Sequence, residues 1–105
     1  MFRNFIILIK IKKRYMSLVF DTKEKELILA AINIAKQNYD DKKDSDYLEL
    51  VEIEDEIKFE NVFLSRKQIS NIESITGPLL DFPKKYQQME IYDLETKLNE
   101  YVELP

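Results

Sequence analysis

The feature that most constrains the fold of this chain is an approximate internal repeat. Val19-Phe20-Asp21-Thr22 precedes one helical pattern, and Val62-Phe63-Leu64-Ser65 precedes another 43 residues later. A period of this size indicates one supersecondary unit used twice. We therefore predict an all-α fold, a small antiparallel four-helix bundle made of two helical hairpins over about 20–60 and about 63–101. In each half the second helix is indicated by apolar residues at helical spacing, namely Leu50, Ile53 and Ile57, and Ile91, Leu94 and Leu98.

Capping boxes mark the starts of the first and third helices. In this motif two residues three positions apart each accept a hydrogen bond from the other's backbone amide. Asp21 is followed by Glu24 at this spacing, and Ser65 is followed by Gln68. We predict that the first helix begins at Asp21 or Thr22 and that the third begins at Ser65.

The third helix meets a break at Gly77-Pro78. Glycine tolerates the left-handed conformation that ends many helices, and proline disfavours helical geometry in the residue before it. Proline also suits the first turn of a new helix. The sequence therefore predicts a third helix that is kinked or split here, and a last helix that opens at Pro83 and runs to about Glu100.

The segment 46–61 has two interpretations. Its apolar residues fit a helix, but around Val51 and Ile53 they also alternate with acidic residues, as they would in a strand. The corresponding segment of the second half has no such alternation, which favours a helix in both. The alternative is an α+β fold in which 50–64 forms a strand or hairpin.

The amino-terminal residues 1–15 differ in character from the rest of the chain. They contain five basic residues, no acidic residue, and the apolar run Phe5–Ile11. This run is far shorter than the ~20 apolar residues that span a bilayer. We interpret 1–15 as an extension outside the fold, with a single helical domain over 16–105. A membrane-surface anchor and an edge strand are the alternatives for the apolar run.

Composition excludes most familiar catalytic sites. The chain has no cysteine, no histidine and one glycine. A disulfide or a thiolate zinc site is therefore impossible, the commonest general base is missing, and no glycine-rich phosphate loop can form. We expect no enzyme activity, no cofactor and no metal site.

Two carboxylate arrangements were considered as metal sites. Glu54 and Glu95 occupy equivalent positions in the two halves and could face each other, although each adjoins the apolar stripe as a residue at the edge of the core would. The loop around Asp40 and Asp44 has the alternating acids of a calcium loop. It lacks the glycine that such a loop needs at its sixth position and carries Lys42 where a ligand belongs. A charged solvent-exposed loop is the better interpretation.

Acidic residues are concentrated in one part of the chain. The segment 40–60 holds ten of them against three lysines, within a chain of net charge −4. Such a segment repels nucleic acid and anionic membranes and attracts basic surfaces. Tyrosine side chains add large contact area at low entropic cost. Two tyrosines of the predicted last helix, Tyr92 and Tyr101, lie outside the apolar stripe that faces the core. The residues predicted to contact a partner are Asp40, Asp41, Asp44, Asp46, Glu49, Glu52, Glu56, Tyr92 and Tyr101.

These observations predict a non-enzymatic acidic binding protein that engages a basic surface of another protein. A nucleic-acid-handling protein is the natural target, because carboxylates can stand where phosphates would. We expect an inhibitor or regulator of the phage or mobile-element type, such as a DNA mimic with anti-restriction or anti-CRISPR action, in the cytoplasm of a bacterial host. It would not bind nucleic acid directly and would have no transmembrane segment.

Two alternatives belong to other classes. The first is a homo-oligomeric structural or regulatory subunit, in which the wide apolar stripe of the first helix forms a homodimer. The second is a membrane-associated protein of the immunity type, anchored by residues 1–15.

Overall fold

The computed structural model describes residues 15–103, which form four α-helices, one 3₁₀ helix and a two-stranded sheet. The chain is therefore a small, mostly helical domain. In chain order the elements are β1 (Met16–Leu18), α1 (Thr22–Lys36), α2 (Ser45–Glu56), β2 (Val62–Leu64), α3 (Arg66–Thr76), the 3₁₀ helix (Gly77–Asp81) and α4 (Gln88–Glu103).

Both predicted capping boxes are confirmed. At the start of α1, Asp21 Oδ1 accepts a hydrogen bond from the amide of Glu24 at 2.7 Å, and Glu24 Oε1 accepts one from the amide of Asp21 at 2.9 Å. At the start of α3, Ser65 Oγ and Gln68 Oε1 accept the reciprocal pair at 3.1 and 3.0 Å. Four amides that the helices themselves cannot satisfy are thus bonded locally.

The break at Gly77-Pro78 is confirmed, but its geometry differs from the predicted left-handed cap. Gly77 keeps right-handed helical angles, φ −51° and ψ −45°. A following proline disfavours these angles most when the residue before it has a Cβ, and glycine has none. The backbone therefore passes directly from α3 into the 3₁₀ helix, whose first turn contains Pro78.

The prediction that the last helix opens at Pro83 is wrong. Residues 83–86 form a turn in which the amides of Lys85 and Tyr86 both donate to the carbonyl of Phe82, each at 3.0 Å. Phe82 itself has non-helical angles, φ −120° and ψ 63°, as expected for a residue before proline. The helix α4 begins only at Gln88 and continues to Glu103.

The sheet corrects the prediction of an all-α chain. The strands β1 and β2 are antiparallel, with Ser17 opposite Phe63 at the centre of the register. Val62 and Leu64 are buried and Phe63 between them is half-buried, which is the alternation of a strand with one face on the core. The alternative α+β interpretation of 50–64 is compatible with this sheet, although the strand covers only Val62–Leu64 and α2 occupies the segment up to Glu56.

The helix α1 lies at the centre of the packing. It contacts α2, α3, α4 and the 3₁₀ helix, while the most extensive contact between helices joins α3 to α4. The wide apolar stripe of α1 is mostly covered within the chain, because Leu27, Ile28, Ala31 and Ile32 are buried and its other apolar side chains are partly so. The arrangement as two hairpins in one bundle stays a prediction, as does homodimer formation through α1.

The predictions for the amino-terminal extension concern residues that lie almost entirely outside the described range. The interpretation of 1–15 as an extension, and its alternatives as an anchor or an edge strand, therefore stay predictions.

Candidate functional site

The loop before α2 and the part of α2 up to Glu52 together carry six carboxylates. We call these residues the acidic face: Asp40, Asp41, Asp44, Asp46, Glu49 and Glu52. Two local hydrogen bonds shape the loop. Asp41 Oδ1 accepts from the amide of Lys43, and Asp44, the N-cap of α2, accepts from the amide of Asp46, both at 2.8 Å. Each of these bonds uses one carboxylate oxygen, and all six side chains stay exposed or half-exposed.

The negative charge of the acidic face is not neutralised by ion pairs. Within residues 15–103, none of its six carboxylates lies within ion-pair distance of a lysine or arginine. By contrast, Glu54 on the same helix pairs with Lys36 at 3.3 Å. Uncompensated surface charge projects a field into solvent that attracts a cationic partner.

A cleft of about 240 Å³ lies beside the acidic face. Asp46 and Glu49 line it from α2, and Asn71 and Ser74 line it from α3. Tyr39 and the apolar side chains of Ala35, Leu50 and Ile75 complete its wall. A lysine or arginine side chain suits such a cleft, because its aliphatic stem packs on apolar wall while its head meets carboxylates.

Two carboxylates of the acidic face influence the pKa of Tyr15. Burial raises the pKa of the Tyr15 phenol, and the nearby carboxylates of Glu52 and Glu49 raise it further. Each of these causes disfavours the negatively charged phenolate. Tyr15 therefore serves as an internal reporter of the charge on α2.

Glu56 does not belong to the acidic face, although it was among the residues predicted to contact a partner. It is only 5 % exposed, and its Oε2 accepts a hydrogen bond from the amide of Phe63 at 3.1 Å. Glu56 of α2 therefore supplies a hydrogen-bond acceptor for a backbone amide of β2. The signal was present in the sequence, because Glu56 lies one turn after Ile53 and next to Ile57 on the apolar side of α2.

The two predicted contact tyrosines lie on α4 and do not line the cleft. Tyr92 is 42 % exposed, and its hydroxyl accepts a hydrogen bond from Gln88 Nε2 at 2.8 Å. Tyr101 is half-buried and packs against the core. The sequence analysis missed Tyr39 as a cleft residue. Its ring meets that of Tyr47 edge to face at 6.2 Å.

The two carboxylates considered for a metal site have separate partners. Glu54 pairs with Lys36, and Glu95 Oε1 accepts a hydrogen bond from the hydroxyl of the buried Thr76 at 3.0 Å. In the part of the chain that the structure describes, no three carboxylates are grouped so that they could hold a metal ion.

Comparison with known proteins adds no assignment: no protein-family model, curated protein or solved structure matches this chain. Among the helices between residues 15 and 103, none has the length and apolar character needed to cross a membrane.

Proposed function

We propose that this protein is a non-enzymatic binding protein whose acidic face engages a basic surface on another protein. The observation that carries the proposal is the juxtaposition of six carboxylates without ion-pair partners in residues 15–103 and a cleft suited to a cationic side chain. A lysine or arginine of the partner would enter the cleft between Asp46 and Glu49. The rest of the acidic face would steer the approach and fix its orientation.

The partner we propose is a protein that normally handles nucleic acid. Asp46, Glu49 and Glu52 follow one another at three-residue spacing, so these carboxylates rise about 4.5 Å per step along α2. Lysine and arginine side chains that bind the phosphates of DNA also bind carboxylates. A groove lined with lysine and arginine for phosphates could therefore accept this row of carboxylates.

An acidic protein that occupies such a groove acts as an inhibitor or regulator of its partner. This mode of action fits a phage or mobile-element protein directed against a restriction or CRISPR nuclease in the bacterial cytoplasm. The isoleucine-, lysine- and asparagine-rich composition is typical of proteins from AT-rich genomes of this kind.

The proposal is tested by affinity capture with two matched variants. One removes three charges from the acidic face (Asp46→Asn, Glu49→Gln and Glu52→Gln). The other removes three from exposed positions of α4 (Asp93→Asn, Glu100→Gln and Glu103→Gln). Each immobilised protein is incubated at low salt with nuclease-treated lysate of an AT-rich bacterium, and the column is then eluted with duplex DNA or with high salt.

We expect the native chain and the α4 variant to retain the same nucleic-acid-binding protein, and DNA to displace it. The acidic-face variant should retain less of that protein by a factor of at least roughly ten, as expected when several charge-assisted contacts are lost. Equal retention by the two variants would contradict the proposal, and so would a captured protein that DNA does not displace.

A further inference from the structure

A second surface with different chemistry lies on the side of α1 away from α2. A groove of about 260 Å³ runs between α1 and the turn that precedes α4. Ala30 and Ile34 form one wall, and Phe82 and Tyr86 form the other. Phe82 is 48 % exposed, and its ring meets that of Tyr86 edge to face at 6.5 Å. Asn33, Gln37 and Lys85 complete the lining, so the groove has polar as well as apolar walls and an exposed aromatic ring at its edge.

The rim of this groove is positively charged, in contrast to the acidic α2. Lys85 lines the groove, and Lys84 is the residue before it. Both are exposed, and within residues 15–103 neither has an ion-pair partner. The ammonium of Lys85 lies 5.6 Å from the centre of the Tyr86 ring. Within 81–86 the single acidic residue is Asp81, the last residue of the 3₁₀ helix. The groove therefore suits an apolar side chain that is flanked by carboxylates.

The chain itself carries such a side chain. Leu48 is 52 % exposed in the middle of the acidic segment. Asp44 and Glu52 lie one turn before and one turn after it, so both are its neighbours on the surface of α2. An aliphatic side chain with a carboxylate on either side along the helix complements a groove that has aliphatic and aromatic walls, Lys85 in its lining and Lys84 beside it.

The Leu48 of the same chain is on the wrong side of α1 to enter this groove. Lys36 of α1 pairs with Glu54 of α2, which shows the side of α1 on which α2 lies. Ile34 is two residues from Lys36, and this corresponds to a rotation of about 200° around the helix. The groove and α2 therefore lie on opposite sides of α1, and a contact between them has to join two copies.

We propose that the chain self-associates head to tail, with Leu48 of one copy seated in the groove formed by Ile34, Phe82 and Tyr86 of another. Asp44 and Glu52 then lie next to Lys84 and Lys85 across the contact. Because the two surfaces differ, each copy keeps one surface of each kind free, and association continues beyond a dimer unless a ring closes. The contact also covers part of the acidic face, so self-association competes with binding of a basic partner.

The test is sedimentation velocity of the full chain over the micromolar range, at low and at high salt. Two variants each remove one side of the contact: Leu48→Asp removes the apolar side chain, and Lys84→Glu with Lys85→Glu reverses the rim. Val19→Asp is the control, because Val19 is another exposed apolar residue, 61 % exposed and outside the groove lining. Circular dichroism confirms that each variant is folded.

We expect the average mass of the native chain and of Val19→Asp to rise with concentration beyond that of a dimer, and to fall in high salt. For each contact variant alone, the association constant should fall at least roughly tenfold, as expected for the loss of an interface anchor. Mixed together, the two variants still hold one intact groove and one intact Leu48. The mixture should therefore form dimers and nothing larger.

A native chain that stays monomeric at every concentration overturns the proposal. Association that stops at a dimer, or that survives in both variants, also overturns it. Either result would favour a symmetric contact between two copies. The lysine variant separates this inference from the proposed function, because it leaves the carboxylates of the acidic face unchanged. It should capture a basic partner at least as well as the native chain does, because self-association no longer competes for the acidic face.

Discussion

The ammonium of Lys97 on α4 lies 2.9 Å from Glu24 Oε1 on α1, across 73 positions of sequence. Lys97 also donates to the carbonyl of Val19 at 2.9 Å, and its Nζ lies 5.0 Å from the centre of the Phe20 ring. One side chain thus joins α4 to the linker after β1 and to the capping box of α1. Glu24 therefore serves two contacts, one with the amide of Asp21 and one with Lys97.

Replacing Lys97 tests this connection. We expect Lys97→Met to lower the free energy of unfolding by about 1–2 kcal/mol, because the Lys97 side chain is half-buried and its loss removes the donor to the carbonyl of Val19 and one of the two hydrogen bonds to Glu24 Oε1. Methionine keeps the length of the aliphatic stem. Urea unfolding followed by circular dichroism measures the change. Lys67→Met, at an exposed position without an ion pair in the described residues, should change stability by less than about 0.5 kcal/mol.

Glu56 offers a test of how a backbone amide of β2, that of Phe63, obtains its hydrogen-bond acceptor. We expect Glu56→Ala to cost about 1–3 kcal/mol, because the amide of Phe63 loses its acceptor. Glu56→Gln keeps an oxygen that can accept this hydrogen bond and should cost clearly less. Chemical denaturation compares the two variants with Glu52→Ala, one turn earlier on the exposed side of α2. If Glu52→Ala and Glu56→Ala were equally destabilising, the role given to Glu56 would be wrong.

The capping box of α3 can be tested on its own. We expect Ser65→Ala to destabilise the protein by about 1 kcal/mol, because the amide of Gln68 loses its hydrogen-bond acceptor. Ser65→Asp keeps an acceptor at the N-cap and should stay close to the native stability. Thermal unfolding measures the stability of each variant relative to the native protein. Ser70→Ala, an exposed position inside the same helix, is the control and should not destabilise, since alanine favours the helix interior.

Stability at alkaline pH should report the environment of Tyr15. Its pKa is raised in the folded state, first by burial and then by Glu52 and Glu49. The folded protein therefore keeps the phenol proton at a pH where the unfolded chain has lost it. The free energy of unfolding should fall as the pH rises from the ordinary tyrosine pKa to the raised one.

Two variants separate these causes. Tyr15→Phe should remove this part of the alkaline loss of stability, measured by urea unfolding across the pH range. The double change Glu49→Gln and Glu52→Gln should lower the Tyr15 pKa while leaving the contribution of burial, as followed by NMR of the tyrosine ring. An unchanged Tyr15 pKa in the double variant would show that the acidic face does not act at this distance.

The parts of the fold that were predicted correctly depend on residues close together in sequence. Asp21 with Glu24, and Ser65 with Gln68, satisfy each other within one helical turn, so no distant residue is needed. The break at Gly77-Pro78 is likewise a property of neighbouring residues. By contrast, the start of α4 was misplaced because the turn after Phe82 uses its carbonyl twice, a detail that the spacing of apolar residues does not report.

The exposure of the acids on α2 could also be predicted from the sequence, whereas the cleft beside them could not. The exposed acids of α2 follow from composition, since charged residues remain at the surface unless they are paired. Glu56 was grouped with them because its identity suggested exposure more strongly than its helical position suggested burial. The cleft could not be foreseen, because Tyr39, Asp46 and Asn71 come from three separate segments that meet only after α1, α2 and α3 have packed.

The amino-acid sequence alone is enough to locate the starts of α1 and α3, the break after α3, the missing types of reactive side chain and the segment where negative charge accumulates. Each of these depends on composition or on hydrogen bonds within one turn. By contrast, the packing of distant segments was needed to establish that Val62–Leu64 is a strand, that Glu56 is buried and that a cleft opens beside Glu49. The physical reason is that the pairing of β2 with β1 joins segments more than 40 residues apart, and local propensity carries no information about such a partner.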